Sequence, residues 1–244
     1  MTNWIALLLS GLVCLQVCLL FQVTAYHEAG HTLVAVHTKE ATPLHKVTII
    51  ARGQTGGHTA FLPKNDQQMQ TKAQCLARLD VGMGGRAAEE LIFGKDQVTT
   101  GASSDLNGAT RIAEAMVTSL GMSEKVKGAL FALECFLINL PYIQVGLRVL
   151  NRNEGESLVP PQYSPAQEEL IDSEVNVLLN SSYARAMTIL RTHRGELEAL
   201  ANALLKYETL DAEDVKSIIE GNPKRLAAKA AKARQQTNHA RYTY

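Results

Sequence analysis

Cysteine is scarce in this sequence and badly placed for cross-linking. Cys14 and Cys18 fall in an apolar N-terminal run, Cys135 in a second apolar run, and Cys75 stands alone. No C-x-x-C pair occurs, which excludes both a disulfide framework and a cysteine zinc knuckle. An excess of charge is missing too. The 24 basic and 24 acidic residues cancel to a formal net charge of zero, so the electrostatic footprint of a polyanion binder is absent and no nucleic acid is expected as partner. No Lys or Arg precedes Lys39, so the positive flank of a secretory signal and the arginines of a transit peptide are lacking. Nor does a G-x-x-x-x-G-K-[ST] loop occur, so ATP hydrolysis is not encoded in these 244 residues.

What is present reads as a folded globular chain. With 46% apolar and 20% charged residues, it can bury one sizeable core or two modest ones. Residues 4–23 contain only Ser10, Gln16 and Gln22 as polar members, about the length of a bilayer-spanning helix. Membrane association through this segment is one expectation.

Further along, Thr24 can cap a helix over residues 25–36, with Tyr26, Leu33 and Val34 among its apolar positions. Residues 46–63, KVTIIARGQTGGHTAFLP, are two β-favouring runs around a turn at Gly53, Gly56 and Gly57, which predicts a β-hairpin. Residues 72–93 are helical in pattern, with Gly82, Gly84 and Gly85 marking close packing or a break, and Gly94 a stop. A third helix should start at a Ser103 or Ser104 cap, carry Asp105 in its first turn and stop at Gly121. SPAQ at 164–167 fits a capping box with proline at N1, leading an apolar periodicity through Leu170, Val175, Leu178 and Ile189. Residues 195–207 and 211–220 continue as helices. Past Pro223, Lys224, Arg225, Lys229, Lys232, Arg234 and Arg241 occur with no acid among them, the pattern of a solvated basic tail. The fold class is therefore mainly α with one β-hairpin.

HEAGH at 27–31 matches H-E-x-x-H. Residues i and i+4 share a helix face, so His27 and His31 can reach one zinc ion, and Glu28 sits beside it as general base. Zinc lowers the pKa of a bound water to about 7 and polarises a peptide carbonyl, which permits hydrolysis without a covalent enzyme intermediate. The pattern has three fixed positions and also arises by chance; its place inside an amphipathic helix favours the metal. A catalytic zinc wants a third protein ligand. Glu89, Glu90 and Asp105 are the candidates, against ordinary readings of the glutamates as surface carboxylates or partners for Arg86, and of Asp105 as a favourable charge at its helix N-terminus. The remaining histidines, His37, His45, His58, His193 and His239, read as surface or packing residues.

Taken together, TAYHEAGH, VTIIARGQTGGHTAFLP, GGRAAEELIFG, VTTGASSDL, MVTSLGMSEKV and ALLKYETLDAEDVKSII resemble the peptidase domain of FtsH-type ATP-dependent zinc proteases, and the later motifs are most similar to the mitochondrial inner-membrane branch. The resemblance implies that His27 and His31 are zinc ligands, Glu28 the catalytic base and Asp105 the third ligand, with Glu89 and Glu90 structural. It implies a largely helical domain with one hairpin, whose edge can pair with substrate backbone. It also implies polypeptide substrates, unfolded or from membranes, delivered by an AAA+ ATPase module in a hexamer of like or mixed subunits. The expected location is the mitochondrial inner membrane, with the chloroplast thylakoid as alternative.

Two segments depart from the family pattern. Residues 1–23 stand where the family has its motor and anchor, and residues 127–145 split its GMSEKVG segment. Either can be genuine apolar structure or translated intron, since residues 126–127 could encode a splice donor and residues 20–22 and 142–144 pyrimidine-rich acceptors. The expected organisation is an apolar segment at 1–23, a zinc peptidase domain at 24–221 and a basic flexible tail at 222–244. The leading function is a zinc metalloendopeptidase. The alternative is a catalytically silent fragment or assembly subunit of an FtsH-like ring.

Overall fold

The computed structural model describes residues 3–51, 56–62, 69–123 and 165–222, with side chains from residue 19 onward. The expectations for the insertion at 127–145, the Ser164 cap and the tail beyond residue 222 lie outside these residues. Within them the element order is α1 (Asn3–His37), β1 (Leu44–Thr48), β2 (His58–Phe61), α2 (Lys72–Phe93), α3 (Ser103–Thr118), α4 (Pro165–Thr192), α5 (Arg194–Tyr207), β3 (Thr209–Asp211) and α6 (Ala212–Ile219), with two short 3-10 turns before α3. The mainly α expectation holds.

The helix carrying HEAGH does not begin at Thr24. Nothing in residues 4–23 breaks a helix, so α1 runs through, and the Thr24 hydroxyl donates to the Leu20 carbonyl at 3.0 Å instead of capping. Among the described residues, no helix is long and apolar enough to cross a membrane. Most side chains of the expected span, those before residue 19, lie outside the described set.

α2 opens on a reciprocal capping box, with Thr71 accepting from the Gln74 N–H and the Gln74 side chain accepting from the Thr71 N–H. It then passes Gly82, Gly84 and Gly85 unbroken and ends at Gly94, whose φ of 89° leaves the helical region. Close packing, not a break, explains the glycines. A Cβ on Gly30 would stand 2.4 Å from the Gly84 carbonyl oxygen, so α1 and α2 touch backbone to backbone at this crossing.

α3 starts one step earlier than a serine cap requires. Its N-cap is Ala102, without a side-chain hydrogen bond, because the turn Thr100–Ala102 feeds straight into it and Thr99 caps that turn by accepting from the Gly101 N–H. Asp105 does lie in the first turn. Gly121, with φ 58°, ends the segment while the Met122 N–H returns to the Met116 carbonyl.

The hairpin forms as β1 against β2, antiparallel with Val47 opposite Thr59. A third strand was not expected: β3 pairs antiparallel with the other edge of β1, giving the order β2-β1-β3. The Thr48 hydroxyl bridges to Thr209 at 2.8 Å and to the Glu208 carbonyl at 3.1 Å. Asp211 then caps α6 in a second capping box with Asp214. One continuous core joins Leu33 of α1, Leu79 of α2, Met116 of α3, Leu190 of α4, Leu197, Leu200 and Leu204 of α5 and Leu210 of β3, all fully buried. Each such leucine contributes about 2 kcal/mol of apolar burial. This core clamps α1 between α2, α5 and the sheet, which fixes the direction of its H-E-x-x-H face.

Candidate metal centre

One turn of α1 presents both imidazoles to the same point, and α3 brings Asp105 to meet them. His27 Nε2 and His31 Nε2 lie 3.1 Å apart, and Asp105 Oδ2 is 3.1 Å from the first and 3.2 Å from the second. These three atoms could hold a metal ion. In a tetrahedral zinc site with bonds of about 2.0 Å, neighbouring ligand atoms stand about 3.3 Å apart, so the triangle already has the required size.

The outer nitrogens of both rings are engaged. His31 Nδ1 is 2.6 Å from the Val81 carbonyl oxygen. A carbonyl only accepts, so Nδ1 donates to it and Nε2 is the ring nitrogen that faces the common point. His27 Nδ1 lies 2.7 Å from Glu89 Oε1 and donates to it, which aims its Nε2 the same way. Glu89 is itself held by the Thr99 backbone N–H at 2.8 Å and hydroxyl at 3.0 Å, both on Oε2. His27 Nε2, His31 Nε2 and Asp105 Oδ2 therefore face one another, an arrangement that a cation satisfies, whether a metal ion or a proton.

The charges of the site express the same demand. Burial works against a charged His27, yet the hydrogen bonds to Asp105 and Glu89 outweigh it and raise its pKa to about 9. Asp105, despite burial, is held well below the usual carboxylate range by hydrogen bonds from both histidines and by their charge. Glu89 is likewise lowered by His27 and Thr99 against the opposing effect of burial. Space is tailored as well. A Cβ on Gly85 would come 2.5 Å from His27 Cε1 and 2.6 Å from His31 Nε2, so only glycine leaves room for the rings in this position.

Glu28, 6% exposed, follows His27 on the helix, and its Oε2 accepts a short hydrogen bond from the Thr59 hydroxyl of β2. The hairpin backbone passes close by: a Cβ on Gly57 would stand 2.8 Å from Glu28 Oε1. The fold thus brings all four expected site residues, His27, Glu28, His31 and Asp105, into one neighbourhood. Of the two other carboxylates weighed as ligands, Glu89 backs His27 from behind, and Glu90 turns away to accept from the Tyr183 hydroxyl. Thr59 was not anticipated, and Gly57 and Gly85, expected as turn and packing glycines, were not expected beside the site. A GG pair flanking each side of the site, at 56–57 and 84–85, was the available signal for close approach.

Comparison with known proteins identifies the family. Residues 21–138 and 141–218 match the profile of peptidase family M41. The chain is 51% identical over 217 residues to the ATP-dependent zinc metalloprotease YME1 homolog of Caenorhabditis elegans, covering 88% of this chain and 27% of that protein. It is 47% identical over 199 residues to the ATP-dependent zinc metalloprotease YME1L1 of Homo sapiens, covering 82% and 22%. With the ATP-dependent zinc metalloprotease FTSH 11, chloroplastic/mitochondrial, of Arabidopsis thaliana it shares 46% over 198 residues, covering 81% and 21%. The chain spans about a quarter of the length of the curated relatives it matches. At this level of identity over most of its own length, the chain belongs to peptidase family M41, the metalloproteases of FtsH type that its motifs resemble.

Proposed function

We propose that this chain is a zinc-dependent endopeptidase in which His27, His31 and Asp105 hold the metal and Glu28 is the general base. The observation that carries this reading is the triangle of His27 Nε2, His31 Nε2 and Asp105 Oδ2, with edges of 3.1 to 3.2 Å and with both histidine Nδ1 atoms engaged behind it. When bound, zinc in such a set supplies a Lewis acid that polarises a carbonyl and acidifies water. The protein's part is to orient and to move a proton. Glu89 and the Val81 carbonyl fix the imidazole tautomers. Glu28, with Oε2 tied to Thr59, keeps Oε1 to take a proton from water as it attacks a peptide carbonyl, and returns it to the leaving amine.

Substrates are polypeptides, unfolded or extracted from membranes. β2 is an edge strand in the order β2-β1-β3, so an extended substrate can add to it by backbone hydrogen bonding alone, with weak sequence preference. That strand also supplies the hydroxyl that holds Glu28, which places the paired backbone beside the base. The peptidase domain works in a ring of FtsH-like subunits, coupled to an ATP-driven module, at the mitochondrial inner membrane, and these 244 residues alone cleave only substrates that are already unfolded. The names of its relatives support the ATP dependence, and the Arabidopsis relative is named chloroplastic/mitochondrial.

The test compares wild type with Glu28→Gln for zinc content and for chelator-sensitive cleavage of unfolded casein. The expected result is about one tightly held zinc ion per chain in both, with cleavage only in the wild type. A Glu28→Gln variant that cleaves as fast as wild type would remove Glu28 from its role, and a chain that takes up no zinc would remove the metal centre.

A further inference from the structure

Away from that centre, His37 and His193, read from the sequence as surface or packing residues, meet Glu196 at one corner. His37 is the last residue of α1, His193 the single residue between α4 and α5, and Glu196 lies in the first turn of α5. His37 Nε2 is 2.7 Å from Glu196 Oε2, and His193 Nδ1 is 2.8 Å from Glu196 Oε1. The two rings stack with centroids 3.7 Å apart and planes at 21°. Packing of α1 along α5 through the fully buried Leu197, Leu200 and Leu204 holds the corner together. The side chains are 24%, 31% and 27% exposed for His37, His193 and Glu196, so the cluster is anchored from below and open to water on one side.

We propose that His37, His193 and Glu196 bind a second divalent transition-metal ion of the zinc class, independent of the His27, His31 and Asp105 centre. One ligand atom from each lies within 4.8 Å of the others. Two imidazole nitrogens and one carboxylate oxygen form a donor set that suits zinc, copper or nickel and does not suit calcium or magnesium, which take oxygen ligands. Its open side leaves positions for water. The neighbouring Arg194 is engaged by Glu198 at 3.0 Å, so it does not compete for Glu196. The two imidazole contacts keep Glu196 ionised against the effect of its partial burial.

Two features make this the weaker of the two sites. Each ring must present a lone pair where it now presents an N–H to Glu196, so protons compete with the ion and affinity falls in acid. The rings must also tilt out of their stack, because the lone pairs of parallel rings do not converge. Once seated, the ion ties the end of the H-E-x-x-H helix to the α4–α5 corner.

The experiment uses the full chain, stripped with chelator, dialysed, and titrated with zinc near neutral pH while bound metal is counted. Wild type is expected to take up about two ions per chain, one tightly and one more weakly, and His193→Ala and Glu196→Gln about one, the tight one. His31→Ala is expected to lose the tight event and keep the weak one, and a large excess of magnesium is expected to leave the weak event unchanged. A wild type that saturates at one ion, or two ions retained in both His193→Ala and Glu196→Gln, would overturn the proposal. Glu196→Gln keeps the shape of the side chain and a hydrogen-bond acceptor, so it suffices as the test if His193→Ala does not fold. Failure here leaves the tight event, and with it the peptidase reading, untouched.

Discussion

Glu89 Oε1 accepts the Nδ1–H of His27 at 2.7 Å, while Oε2 takes the N–H and hydroxyl of Thr99. A carboxylate side chain only 1% exposed is thereby used to aim an imidazole. Outer partners of metal-ligating histidines set ring orientation and basicity, and their loss costs about 10- to 100-fold in metal affinity. Glu89→Gln is therefore expected to weaken zinc binding by about that factor while leaving about one ion per chain at saturation. Competition with a chromogenic chelator measures it. A loss as complete as that of His31→Ala would make Glu89 a ligand instead of a support.

Gly85 and Gly30 separate the site from the fold. A Cβ at Gly85 meets the far ends of the His27 and His31 rings at 2.5 and 2.6 Å, whereas one at Gly30 meets the Gly84 backbone oxygen at 2.4 Å and the Ala88 Cβ at 2.6 Å. Rings can swing aside; backbone cannot. Gly85→Ala is expected to fold and to lose at least tenfold in zinc affinity, as a disturbed supporting contact does. Gly30→Ala is expected to lose about 3 kcal/mol of stability from overpacking at the helix crossing. Denaturant unfolding and zinc titration on both variants check the contrast, which fails if the two substitutions behave alike.

These positions also show what the sequence carried and what it did not. The pair His27 and His31 was legible because helical periodicity alone puts i and i+4 on one face, and the hairpin was legible because its two runs are neighbours in sequence. β3 was not, since three residues with one buried apolar member, Leu210, carry no period. It exists because the open edge of β1 is there to be paired. Local rules also placed a helix start at Thr24, where only the continuation of α1 from upstream decides the matter. Spacing could shortlist Asp105 and Glu89 as carboxylates but not tell them apart, and only the family resemblance separated them, because their roles depend on which atom of His27 each one faces, and that is set by how α3 and α2 pack on α1.

The titration of His27 gives a stability signature for chelator-treated protein. Its pKa is raised from about 6.5 when unfolded to about 9 in the fold, with burial opposing and Asp105 and Glu89 driving the rise. The folded state then holds the extra proton. The contribution is fully present below pH about 6.5 and is lost as pH rises through about 9. Chelated wild type is expected to lose stability across that window, by an amount on the order of 3 kcal/mol as an upper bound, and His27→Gln to flatten the slope. Zinc saturation should remove it, since a ligating imidazole must be neutral. Urea unfolding at closely spaced pH values is the measurement, and stability rising between pH 6.5 and 9 in the chelated wild type would contradict the assignment.

Thr59 is the remaining side chain that touches the proposed base. Its hydroxyl donates to Glu28 Oε2 from the edge strand β2, so the surface proposed for substrate and the anchor of the proposed base are the same strand. A hydrogen bond to a charged group is worth about 1.5–3 kcal/mol, but Glu28 keeps its neighbour His27 and the close wall at Gly57 when the hydroxyl is removed, so only part of that is at stake. Thr59→Val, which conserves shape, is expected to lower kcat about tenfold with KM and zinc content little changed. Thr59→Ser is expected to restore the rate, because it returns the oxygen. If Thr59→Val raised KM and spared kcat, the residue would act through the strand that holds substrate and not through the base. A change in neither, alongside an inactive Glu28→Gln, would mean that Glu28 needs no anchor beyond the backbone of its own helix.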